Sequence, residues 1–304
     1  MSAVTVRAAA KINLHLGVGR PRPDGFHPLV TVFHAVSLYD DVTVTPADDW
    51  QVTTHAAGHV DGAALPDAGD NIVDRAAAAL ARHHARPVTG RVEVHKSIPV
   101  AGGMAGGSAD AAAALVALDR VWDLGTSDDD LLALAAELGS DVPFSLVGGT
   151  ALGEGRGELL TPVADDGSWW WVVVRAAGDG LSTPAVYRRY DELRPDASPE
   201  PAPAGVPLAA LETRDPELLA NALHNDLQAA AVDLRPDLAD TIATGEAAGA
   251  LRGLVSGSGP TCVFLARDAD HAREVAGELR DGHPTVLVAH GPVAGAHVVT
   301  VEAG

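Results

Sequence analysis

Cysteine is nearly absent. One residue, Cys262, stands in a chain of 304, which excludes an internal disulfide framework and a metal site built on clustered thiolates. It lies in Thr-Cys-Val-Phe-Leu, which reads as a buried strand, so an inert core thiol is expected. No apolar run reaches the ~18 residues a membrane-crossing helix needs. The opening Met-Ser-Ala-Val-Thr-Val-Arg lacks the charged region and apolar block of a signal peptide. Positive charge is also scarce: 21 basic residues face 41 acidic ones, for a net charge of −20. That balance argues against nucleic acid or an anionic membrane as partner. Lysine is the rarest cation, present only as Lys11 and Lys96 among those 21 basic residues. A compact ammonium is a different tool from a planar guanidinium. These absences predict a soluble cytoplasmic protein that handles small molecules. A monomer or weak homodimer is expected, though composition does not set the oligomeric state.

Glycine, by contrast, is plentiful and concentrated. Gly102, Gly103, Gly106 and Gly107 lie between a β-like segment at 88–98 and a helix-like one at 108–122, with Ser108 and Asp110 in the first turn of the predicted helix. Glycine allows positive φ and lets backbone N–H groups approach a ligand. A glycine-rich turn feeding a helix N-terminus is an anion site, because free N–H groups and the helix dipole converge there. The spacing is not a P-loop, since Ser108 and Ala109 stand where Lys and Ser/Thr are required. Nor is it a dinucleotide fingerprint, since Met104 occupies the second glycine position. A phosphate cradle of another type is expected.

Strands are predicted at 4–10, 29–38, 42–45, 88–94, 169–175, 261–266, 285–289 and 296–301, with Asp40-Asp41 separating the second from the third. Helices are predicted at 71–85, 108–122, 128–138, 183–193, 215–231, 236–249 and 270–280. The five prolines of 195–207 predict a surface loop, and the three adjacent tryptophans at 169–171 a core or an interface. The first half mixes consecutive strands with helices and the second alternates them. This predicts an α+β chain of two lobes, divided as 1–160 and 161–304, with glycine turns at 102–107 and 256–259 facing each other across a cleft.

Three separated motifs resemble one superfamily, the GHMP kinases, named for galactose, homoserine, mevalonate and phosphomevalonate. They are Lys11-Ile-Asn13-Leu, Ile98-Pro-Val-Ala-Gly-Gly-Met-Ala-Gly-Gly-Ser-Ala-Asp110 and Ser256-Gly-Ser-Gly-Pro260. Within it, Asp24-Gly-Phe-His-Pro-Leu, Leu138-Gly-Ser-Asp-Val-Pro-Phe, Ser182-Thr-Pro-Ala-Val-Tyr187 and His224-Asn-Asp226-Leu resemble the branch that acts on a cytidine-diphosphate-linked methylerythritol in the non-mevalonate isoprenoid pathway. The resemblance implies an N-terminal lobe like domain 2 of ribosomal protein S5 and a ferredoxin-like C-terminal lobe. It implies transfer of the ATP γ-phosphoryl to the tertiary 2-hydroxyl of that substrate, with Mg²⁺ as cofactor.

The same resemblance assigns residues. Asp141 matches the catalytic base and Lys11 its partner. Lys96, Pro99, Val100, Ala101, Gly102, Gly103, Met104, Ala105, Gly106, Gly107, Ser108 and Ala109 match the ATP loop. Asn13, Phe26, His27, Thr183, Tyr187, Gly257 and Ser258 match substrate contacts, with Phe26 and Tyr187 near the cytosine. Two positions depart from the usual pattern. Ser108-Ala109-Asp110 replaces Ser-Ser-Asp, leaving Ser108 as the one hydroxyl for Mg²⁺, and Phe26 replaces a Tyr. A homoserine- or mevalonate-type kinase, or a non-catalytic nucleotide-binding relative, is the alternative. The chemistry suits the residues: a carboxylate accepts the alcohol proton, and an ammonium offsets charge on the transferring group.

Overall fold

The computed structural model describes residues 2–62, 65, 71–100, 102–176, 178 and 180–302. The first half holds β1 (Ala3–Val18), β2 (Leu29–Thr45), β3 (Trp50–Ala56), α1 (Ile72–His83), β4 (Gly90–Lys96), α2 (Gly106–Trp122), α3 (Asp128–Leu138), α4 (Val142–Val147), β5 (Thr150–Glu154) and β6 (Leu159–Val163). The second holds β7 (Trp169–Arg175), α5 (Thr183–Leu193), α6 (Gly205–Thr213), α7 (Pro216–Ala222), β8 (His224–Asn225), α8 (Gln228–Leu234), α9 (Asp237–Ala247), β9 (Arg252–Val255), β10 (Thr261–Ala266), α10 (Ala269–Leu279), β11 (Thr285–Gly291) and β12 (His297–Glu302).

The larger sheet runs β12-β1-β2-β4-β3, with β5 on β2, β6 on β5 and β8 on β1. The last strand of the chain thus returns to pair antiparallel with the first. From Ala8 onward β1 is buried at every residue, which its run of Ala, Ile and Leu allows. α2 packs its alanine-rich face on β1 and β2, and α1 packs in turn on α2, where the short side chains let backbone approach backbone. Asn71 caps α1 by accepting from Val73 N.

The smaller sheet has the order β11-β7-β10-β9, all antiparallel. With one helical connection after β7 and another after β10, this is the ferredoxin-like arrangement. Val172, Val174 and Phe264 on one face pack with Val186 of α5 and Val275 of α10. Trp171, Val173, Val263 and Leu265 on the other face join the core of the larger lobe. Trp169 and Trp171 are fully buried in that junction, as the tryptophan run led us to expect. Cys262 is a buried free thiol, and burial pushes its pKa up to about 12.

Several boundaries differ from expectation for physical reasons. The two strands expected at 29–38 and 42–45 are one, β2, and Asp40-Asp41 lies within it. A bulge opposite Ala9 and Ala10 absorbs the irregularity there. The helix expected at 215–231 is two, α7 and α8, separated by the bridge β8. α2 begins at Gly106, two residues before the predicted start. The 195–207 segment ends in α6, and its loop is anchored to β1 and the turn after it: Ala202 O pairs with His15 Nε2 of β1, and Ser198 O accepts from Arg20 N just beyond the strand.

Candidate active site

The glycine loop and the second glycine turn do not face each other across a gap; they touch. Ser256 Oγ donates to Gly103 O at 3.2 Å and Thr261 N donates to Gly102 O at 3.3 Å. Gly103 has φ +77°, and a Cβ there would sit 2.2 Å from Ser256 O, so only glycine fits. Lys11 N donates to Met104 O at 3.1 Å, which ties β1 to the same loop. The loop is held from both lobes.

The helix that follows has no side-chain cap. Its N-cap residue, Ala105, is left-handed at φ 57° and makes no side-chain hydrogen bond. Its first-turn N–H groups therefore remain available, and the 17-residue helix places its positive dipole end there. A Cβ on Gly107 would meet nothing within 4 Å, so the cradle is open beside it. These features meet the requirements for binding phosphate.

A cavity of about 930 Å³ opens in front of this loop. It is lined by Lys11, Asn13, Phe26, His27, Lys96, Pro99, Val100, Gly102, Gly103, Ala105, Gly106, Gly107, Ser108, Asp141, Thr183, Tyr187, Gly257 and Ser258. The expected site residues thus converge on one space. Two of the described ones do not line it, Met104 and Ala109, which are buried in the core beneath the loop. Ala101 lies outside the described residues.

At the centre, Lys11 Nζ lies 3.6 Å from Asp141 Oδ2 and donates to Asn13 Oδ1 at 2.9 Å. Asn13 Nδ2 donates in turn to Thr31 Oγ1 at 2.8 Å, which fixes the orientation of its amide. The lysine is buried, while the Asp141 side chain is 34 % exposed and open to the cavity. Asp141 precedes α4 and does not cap it, so its carboxylate is not consumed by the helix. Gly257, at φ +56°, would bring a Cβ to 3.5 Å from Lys11 Nζ, so the second turn closes over this group. Asn225 Nδ2 holds that turn by donating to Val255 O and Gly257 O, each at 2.8 Å.

Lys96 lies in a different setting. Its ammonium is buried between Asp40 and Asp110, bonded to Asp40 Oδ2 and to Asp110 Oδ2 at 2.6 Å. Asp40 Oδ1 also accepts from Ser97 N and Ile98 N, at 2.6 and 2.8 Å, and so pins the start of the loop. Burial opposes the Lys96 charge, but the two carboxylates together outweigh it and raise its pKa. Burial, opposed by the neighbouring ammonium, pushes Asp110 up to about 8. Lys96 is therefore a neutralised buried cation, not a source of positive potential for a ligand. Its partner Asp40 was legible: it shares the parity of buried Val42 and Val44 on a strand. Two adjacent acids read more readily as a break.

The far end of the cavity is aromatic. The His27 ring lies 4.8 Å from that of Tyr187, and His27 Nε2 pairs with Asp191 Oδ1 at 2.9 Å. Phe26 is 50 % exposed, with the Arg156 guanidinium 5.0 Å from its ring centre. Burial raises the Tyr187 pKa, so its phenol stays a donor. Thr183 Oγ1 and Ser258 Oγ share a hydrogen bond of 2.9 Å across the two C-terminal motifs. Arg156 and Asp191 carry no short motif of their own, and nothing local in the sequence marks them.

For a divalent cation, the oxygens beside the loop are the Ser108 hydroxyl and Asp110 Oδ1, a buried atom without a hydrogen-bond partner. Mg²⁺ typically takes one or two protein oxygens together with substrate phosphates and water, and this donor set fits that habit.

The GHMP kinases N terminal domain matches residues 71–149 and the GHMP kinases C terminal domain matches residues 208–284. A 4-diphosphocytidyl-2-C-methyl-D-erythritol kinase of Nocardioides sp. is 65% identical over 296 residues, 97% of this chain and 99% of that one. A protein of the same name from Thermobifida fusca is 55% identical over 306 residues, covering 98% and 99%. A crystal structure of 4-(cytidine 5'-diphospho)-2C-methyl-D-erythritol kinase superposes with a TM-score of 0.77 at 32% identity, covering 99% of this chain and all of the other. A homoserine kinase structure from Cytophaga hutchinsonii shares the fold at a TM-score of 0.68 and 18% identity.

Proposed function

The chain belongs to the 4-diphosphocytidyl-2-C-methyl-D-erythritol kinase family of the GHMP kinases, and on that premise we propose that it moves the ATP γ-phosphoryl group to the 2-hydroxyl of the cytidyl substrate, with Asp141 as general base and Lys11 beside it. It is an ATP-dependent kinase, and its place is in the methylerythritol phosphate route to isoprenoid precursors.

One observation carries the finer reading. The Asp141 carboxylate and the Lys11 ammonium, 3.6 Å apart, face the same cavity as the uncapped helix end and the open cradle at Gly107. Phosphoryl transfer asks chiefly for positioning and charge neutralisation. The loop amides hold the phosphate chain. Asp141 accepts the alcohol proton as the new P–O bond forms, and Lys11 faces the charge that spreads over the transferring oxygens. Asn13 orients the Lys11 head through its 2.9 Å bond. Phe26, His27 and Tyr187 offer the cytosine a stacking surface, worth ~1–3 kcal/mol per base contact of this kind. Ser108 and Asp110 would hold Mg²⁺, Asp110 giving up its proton to do so, and the bound ion would neutralise phosphate charge.

Steady-state ADP release tests the assignment. Turnover is expected with the cytidyl substrate and absent with mevalonate or homoserine. Turnover with either of those alone makes the chain another small-alcohol kinase. No turnover with any, alongside retained ATP binding, makes it a nucleotide-binding relative.

A further inference from the structure

The solvent face of the larger sheet carries a second constellation. β3 is an edge strand and pairs parallel with β4, in the register Thr53 to Glu93 and His55 to His95. Side chains on a strand alternate, so Glu93 and His95 stand on one face, and His55 stands laterally beside His95 on that same face. The two imidazole rings stack with centroids 4.9 Å apart and planes 24° apart. Glu93 Oε2 lies 3.9 Å from His95 Nε2. One ligand atom from each of the three residues falls within 4.8 Å of the other two. Among the described residues no other set of three histidine, cysteine or carboxylate side chains comes together in this way. All three are exposed, and none lines the active-site cavity.

We propose that His55, His95 and Glu93 form a binding site for a divalent transition metal of the zinc class, independent of the kinase site. Two imidazoles and one carboxylate are a donor set that Zn²⁺ accepts, leaving a fourth position for water. Zn–N and Zn–O bonds are about 2.0–2.2 Å, so the three groups need only rotamer adjustments, which exposed side chains on rigid strands make readily. The donor set also excludes Mg²⁺ as the natural occupant, because imidazole nitrogen suits zinc, copper and nickel. Asp41 lies opposite His95 on β2 but is held by two hydrogen bonds from Arg7, so the site is limited to three protein ligands.

The location gives the metal a role. β3 ends at Ala56 and β4 at Lys96, one residue beyond His55 and His95 respectively. A bound metal staples the edge strand to its neighbour at the point where the chain leaves for the glycine loop. The staple acts on the native fold alone, so it raises the melting temperature by mass action.

The test is calorimetric titration of metal-stripped protein with ZnCl₂ in excess Mg²⁺, together with H95Q and a H55Q/H95Q double variant. The expected result is one Zn²⁺ per chain, at least ~10-fold weaker in H95Q and lost in the double variant, with a Zn²⁺-dependent rise in melting temperature only in the wild type. Co²⁺ added to the wild type gives an independent reading that needs no variant. Strong visible bands of low-coordinate cobalt are expected. Absence of a one-to-one isotherm, an unchanged isotherm in the double variant, or only the weak spectrum of six-coordinate cobalt would overturn the site.

Discussion

Asp110 holds one oxygen on Lys96 and leaves the other without a partner in a buried position. Its proton is retained to about pH 8 chiefly because burial penalises the second carboxylate beside one ammonium. A carboxyl whose folded pKa lies above its unfolded value stabilises the native state at low pH. That contribution is lost as pH rises from about 4 through about 8. His34, fully buried and held down to about 4 by burial, has the opposite dependence, losing its contribution as pH falls from its ordinary value. The Asp110 share is isolated by comparison with D110N. The urea midpoint of the wild type minus that of D110N should fall as pH rises across that window. A difference that grows with pH contradicts the assignment. At Lys11 the expectation is catalytic. On the proposed mechanism Lys11→Met removes the charge facing the transferring group, so kcat should fall by ~10²–10³ while nucleotide affinity changes little. Rapid-mixing turnover and equilibrium binding separate the two.

The glycine loop makes two opposite predictions for the same chemical change. Gly103→Ala forces a methyl group onto Ser256 O at a positive φ, so it should cost ~1–3 kcal/mol of stability and disturb the loop with it. Gly107→Ala meets no protein atom and adds a better helix former, so stability should hold or rise by up to ~1 kcal/mol. Its methyl group enters the cradle, so the KM for ATP should rise. Thermal melts and ATP titrations of both variants check the pair. Equal behaviour of the two would remove the cradle reading. The loop was legible in the sequence because glycine carries its own physics: four of them between a strand and a helix mark a place where backbone is left open to approach, by protein at Gly103 and by a ligand at Gly107. The start of α2 at Gly106 was not, since a helix normally announces itself by a capping side chain and this one has none. The inward face of Asp40 follows from its parity with Val42 and Val44, but its partners, Lys96 and the Ser97 and Ile98 amides, do not, because they arrive from a distant part of the chain. Arg156 beside Phe26 was illegible for the same reason.

The two lobes act as one body. β12 closes the first sheet with the end of the chain, and Trp171 of the second sheet is buried in the core of the first lobe. Trp171→Ala should therefore cost ~3–5 kcal/mol and lower one common unfolding transition, not that of a single lobe. Calorimetry would show it. That union assembles the site: Lys11 comes from β1, Asp141 from the entry to α4, and Thr183 and Gly257 from the second lobe. Convergence across 130 residues follows from no local pattern, and only the family resemblance joined Lys11 to Asp141 in advance. The most direct measurement of the central claim is Asp141→Asn, assayed for phosphorylation of the cytidyl substrate and for ATP binding on the same preparation. Turnover should fall by ~10²–10⁴ with ATP affinity nearly intact. Unchanged turnover, or an equal loss of ATP affinity, would contradict the assignment of Asp141 as the base.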